Sequence, residues 1–176
     1  MQNKPSTNDE IGNHNPSDTP VVYHDAPPFA PATKIVVEGG LSFLAPSKLD
    51  CGQIKATGLT QEAFGQMDIQ EKLWIYDQRE TKNPWILTIK LSQPFTNDAG
   101  FSMQDVLYFK KAEEYQLVNE EELEIVRGQN STNVQTDYSE YLNNGRAFKL
   151  VLTKENQIAG NYSAEITWTL ADAPTE

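Results

Sequence analysis

Two histidines, one cysteine and a run of glutamates are the side chains of this sequence best suited to catalysis or metal binding. Imidazole is the usual general base near neutral pH and the commonest metal ligand. His14 and His24 both lie in a proline-rich N-terminal stretch, so no imidazole is available to a catalytic triad in the folded body. Cys51 therefore lacks the base that a thiolate nucleophile needs. Beside its apolar neighbours it reads as a small core filler. The chain has no glycine-rich phosphate loop, no His-Glu-x-x-His pair and no cysteine–histidine cluster. Glu120, Glu121, Glu122 and Glu124 form the densest acidic run. Successive carboxylates on a strand point to opposite faces, which favours a solvated edge over a divalent-cation site. A carboxylate pair for glycoside hydrolysis leaves no mark in spacing, because its members meet only in the fold. The chain is read as non-catalytic, with no cofactor and no metal.

Asp77 and Arg79 stand two apart at a strand end, just before the tryptophan-bearing stretch Pro84 to Leu91. Either they pair across a loop through charge-assisted hydrogen bonds and lock it, or they offer a polar site to a ligand. The three tryptophans pose a similar choice, since an exposed indole can stack on a sugar. Trp85 shares its parity with Leu87, Ile89 and Leu91, and Trp168 shares its own with Ile166 and Leu170. That company places both in the core. Burying one indole removes about 200 Å² from water, on the order of 5 kcal/mol. Trp74 has Lys72 and Tyr76 as parity partners and is the tryptophan expected to be most exposed.

These residues need strands to position them. From Asn161 to Leu170 apolar and polar residues alternate, the period of a β-strand with one face on a core and the other wet. Pro84 to Leu91 repeats the Trp-x-Leu spacing half a chain earlier. Leu73 to Tyr76 reads as a strand paired with it in a hairpin, the polar residues from Asp77 to Pro84 forming the loop. Ile35 to Val37 and Leu41 to Leu44 flank Gly39-Gly40, a turn signal. Residues 53–71 read as loop plus strand. Pro94, Asn97-Asp98 and Gly100 break the chain. Val106 to Phe109, Tyr115 to Val118, Leu123 to Val126 and Ala147 to Leu152 supply four more strands, and Asp137 to Leu142 one helical turn. No 3.6-residue apolar period persists for three turns. The pattern predicts an all-β protein, an antiparallel β-sandwich or barrel-like single domain spanning 34–176.

Residues 1–33 hold six of the ten prolines. With few branched aliphatics before Val21, this stretch cannot offset its ordering entropy by burial and reads as a disordered tail or linker. Val21 to Tyr23 is the one part of it able to dock as a short edge strand. The net charge of −11 argues against nucleic acid and against anionic surfaces held by bulk attraction. It also predicts that rising salt weakens binding to any anionic surface only slightly, or strengthens it, by screening repulsion. No apolar run reaches the roughly 20 residues of a membrane helix. Met1 followed at once by polar residues reads as a start placed on a processed chain.

Asp77-x-Arg79 before Trp85-Ile-Leu87, together with Tyr162-x-Ala-x-Ile-Thr-Trp-Thr-Leu170-x-Asp-Ala-Pro174, resembles the WxL domain of low-GC Gram-positive bacteria. The likeness runs from about Lys34 to the end. Its first motif is relaxed, with Asn83-Pro84 where a glycine is common. The resemblance implies a secreted protein, its signal peptide removed, held non-covalently on the cell wall through peptidoglycan. It also implies other surface proteins of the same locus as partners. Two functions follow as expectations: a peptidoglycan-binding module, or an assembly module that reaches the wall indirectly. An exposed apolar patch around Val106 to Phe109 would favour the second, and a polar groove the first.

Overall fold

The structure, a computed structural model, describes residues 21–24, 40–68, 70–128 and 134–173, the first of these as backbone only. The remainder of the proline-rich tail, the strand expected at Ile35 to Val37 and the chain end after Ala173 lie outside the described residues. The protein is nearly all β, with 49% strand and 5% helix, in three antiparallel sheets packed together. The sandwich-like all-β expectation is borne out.

The long pair at the centre is β5 (Trp85–Asn97) and β11 (Tyr162–Asp172). They run antiparallel from Asn97 opposite Tyr162 to Trp85 opposite Asp172, with Ile89 against Trp168 and Leu87 against Leu170. Both Trp-x-Leu motifs thus sit side by side on one face of one sheet. β8 (Leu123–Gly128) pairs with the free edge of β5, and β1 (Val21–His24) with that of β11. The short edge strand allowed at Val21 to Tyr23 is therefore present and extends to His24.

The second sheet runs β3 (Gln61–Gly65), β10 (Phe148–Leu152), β6 (Leu107–Lys111), β7 (Glu114–Leu117). The third is β2 (Leu41–Leu44), β4 (Trp74–Asp77), β9 (Gln135–Asp137). A single 3-10 turn follows at Ser139–Leu142, where one helical turn was expected. One hydrophobic core joins the sheets. Phe148 stacks edge-on against Trp168 at 6.4 Å and against Phe109 at 5.1 Å, carrying aromatic contact from the second sheet to the first.

Three details depart from the sequence reading. Leu73 to Tyr76 does not form a hairpin with the Trp85 strand. Both edges of β4 are taken, by β2 and by β9, and residues 78–84 cross from one sheet to another. Pro94 does not end its strand, because β5 continues to Asn97. Proline cannot donate to a ladder, but β8 pairs with β5 only as far as Ile89, and β11 is irregular opposite Pro94, between Ser163 and Ile166. Finally, the far face of the central pair is not wet along its middle. Thr88, Thr167 and Thr169 are buried there, and the Thr167 hydroxyl lies 2.9 Å from that of Ser92.

Candidate functional site

β4 ends on Asp77, whose backbone N–H donates to Val134 O at 2.8 Å. The chain then turns: the Arg79 N–H donates to Asp77 Oδ1 at 3.2 Å, and the guanidinium folds back on the same carboxylate. Nε donates to Oδ1 and Nη2 to Oδ2, both at 2.9 Å, a bidentate pair. Nη2 also donates to Asn83 O at 2.7 Å, and Nη1 to Asp172 at the end of β11. Four of the five guanidinium N–H groups are engaged in this way. Lys82 Nζ donates to Asp77 O. One residue past Asp172, the Ala173 N–H donates to Pro84 O at 2.8 Å. Of the two alternatives for Asp77 and Arg79, the geometry is that of a lock. It fastens the crossing loop to the C-terminal strand and so ties the two motifs together.

Burial by itself pushes the Asp77 carboxyl up, but the hydrogen bonds from Arg79, with the charges of Arg79 and Lys82, hold it below the usual carboxylate range. A depressed native pKa contributes stability above the unfolded value of about 4, and that contribution is lost as pH falls through the native value. Arg79→Ala should cost about 2 kcal/mol at pH 7, the scale of lost charge-assisted hydrogen bonds. Urea unfolding of parent and variant at pH 7 and pH 3 checks this. The gap between them should narrow at pH 3, and an equal gap at both would separate the loss from the charge on Asp77.

Trp85 and Trp168 are 4% and 1% exposed, and Leu87 and Leu170 are buried beside them. Trp74 is half-buried, 6.2 Å from the Tyr76 ring, and the most exposed of the three tryptophans. Cys51 packs at the core margin, and burial, aided by the Asp50 charge, pushes its thiol up to about 12. Such a thiol stays protonated at neutral pH. Glu120, Glu121 and Glu122 are exposed between β7 and β8, and Glu124 pairs with Arg127 at 2.7 Å. Among the described residues no group of three or more acidic, histidine or cysteine side chains is arranged to hold a metal ion. Val106, Leu107 and Phe109 are buried, so the apolar patch considered at that strand is not exposed.

A polar cleft of about 220 Å³ lies elsewhere, lined by Asp68, Glu71, Lys72, Ser139, Glu140 and Asn144 among others. Its floor depends on Gly145, at φ +80°, whose carbonyl accepts the Met67 N–H at 3.0 Å. A Cβ there would meet Met67 O at 2.7 Å, which excludes other residues twice over. Burial raises the Glu71 carboxyl, as does the charge of Asp68, although Ser47 and Lys48 oppose the shift. Carboxylates in such a cleft suit a cationic amine. Sequence reasoning missed this site. Its residues come from separate stretches, one of them the poorly patterned 53–71, which long-range bonds bring together: Met67 N–H to Gly145 O, Leu73 N–H to Ser139 Oγ and Tyr138 N–H to Leu73 O.

The fold and these sites define a three-sheet antiparallel β domain whose two tryptophan strands are locked as neighbours. No family model, no curated protein and no solved structure matches the chain.

Among the described residues no helix is long and apolar enough to cross a membrane.

Proposed function

We propose that this is a non-catalytic, secreted surface protein that attaches non-covalently to the Gram-positive cell wall by binding peptidoglycan. One observation carries the reading. The residues behind the WxL resemblance, Asp77, Arg79, Trp85, Leu87, Trp168, Leu170 and Asp172, form one continuous unit although the two halves are far apart in sequence. A chance pairing of two short motifs would have no reason to meet. The acidic cleft adds support, since peptide stems carry amines that its carboxylates suit. The assembly alternative loses the exposed apolar strand that would have favoured it.

Purified, protein-free sacculi test the proposal. The chain should co-sediment with them and be released by soluble glycan–peptide fragments. A chain that stays in the supernatant at every protein concentration would end the wall-binding reading.

A further inference from the structure

The outward face of the second sheet differs from the rest of this acidic molecule. Its outward register positions place Phe64 beside Lys149, Lys149 beside Tyr108, Tyr108 beside Leu117 and Lys110 beside Tyr115. Their inward neighbours Leu107, Phe109, Phe148 and Leu150 fill the core. Arg146, just before β10, lays its guanidinium over the Phe64 ring, 4.2 Å from the centroid. Lys149 Nζ sits 4.2 Å over the Tyr115 ring, and the two rings are 6.4 Å apart. Glu62, 3.2 Å from Lys149 Nζ, is the one carboxylate at the outward positions of these four strands. Neither Arg146 nor Lys110 makes an ion pair with a described residue. A protein of net charge −11 thus gathers three cations on one sheet face and orients two of them with rings. A carboxylate partner would neutralise a cation, whereas a ring holds it in place and leaves its charge to attract an anion. The Arg146 fork also matches a carboxylate in two-bond geometry.

We infer that this face, through Arg146 and Lys110, docks the carboxylates of a glycan–peptide polymer. The inference rests on the wall-binding reading and deepens it. It changes the salt effect that net charge alone predicts: local attraction makes binding fall steeply as salt rises, where whole-body repulsion would weaken it only slightly or raise it.

The test measures sedimentation with protein-free sacculi stripped of phosphate polymer, from low to physiological salt, for the parent chain, Lys110→Gln/Arg146→Gln and Lys55→Gln. Lys55 is exposed and precedes β3, outside the four strands of the face, and melting temperatures establish that all three fold. Lys110→Gln alone serves if the double change lowers that temperature. Parent binding should fall with salt, the double variant should bind about tenfold more weakly, near the loss of one charge-assisted contact, and Lys55→Gln should match the parent. Equal binding of parent and double variant, or parent binding that rises with salt, overturns the face and leaves wall binding standing. Capture only by walls that retain phosphate polymer also overturns it. A parent that binds no sacculi removes the wall reading and this inference together.

Discussion

Replacing Trp168 by alanine is expected to cost about 3–5 kcal/mol, the range for emptying a large buried aromatic site. The indole is 1% exposed and stands edge-on to Phe148, which itself stands edge-on to Phe109. Removing it would cut the aromatic chain that joins two sheets, so loose packing would spread beyond one strand. A domain of this size holds only about 5–15 kcal/mol in total. Trp168→Ala should therefore melt far below the parent, and any loss of wall binding would follow from unfolding alone.

Trp168→Phe separates the two causes. It keeps a ring against Phe148 and removes an indole N–H that finds no acceptor among the described residues. Losing an unpaired buried donor offsets part of the packing loss. The phenylalanine variant should melt close to the parent and sediment with sacculi as the parent does. A variant that keeps its melting temperature and loses the wall would make Trp168 a contact residue, against its position in the core.

The alternation around Trp168 was legible because β5 and β11 each present one continuous apolar face to the core, and that pattern is local. Partner choice is not local. The eight polar residues from Asp77 to Pro84 suit a hairpin loop as well as a crossing between sheets, and only β2 and β9 together decide it, by taking both edges of β4. The same limit applies to the lock. Asp172 belonged to the recognisable C-terminal motif, but its bond to Arg79 spans 93 residues and leaves no trace in spacing. The buried threonines misled for a chemical reason: a threonine offers a methyl as well as a hydroxyl, so one letter serves a wet face or a buried one. Of the cleft at Glu71 only the helical turn at Ser139–Leu142 had a signal. Its other walls are loops, where side-chain period carries no information.

Substitution of Gly128 should have the second largest effect. The glycine sits on β8 directly opposite Trp85, in the register of the central sheet. A Cβ built on it would lie 1.9 Å from Trp85 Cε2 and 2.1 Å from Cζ2, inside the indole. The missing side chain is the space the ring occupies, which accounts for a glycine in a strand where it otherwise weakens pairing. The ring has little freedom to retreat: Tyr138 meets it edge-on at 5.4 Å, and the Asp77–Arg79 lock holds the loop just before it. Gly128→Ala should therefore cost about 3 kcal/mol, the upper part of the range for overpacking a filled core. The informative experiment is a double-mutant cycle with Trp85→Leu. If the penalty is the clash itself, alanine at 128 should cost far less once the indole is gone, with a coupling of about 2 kcal/mol between the two sites. Additive losses, with the same penalty for Gly128→Ala in both backgrounds, would place its origin in the β8 backbone and remove the packing account of this glycine.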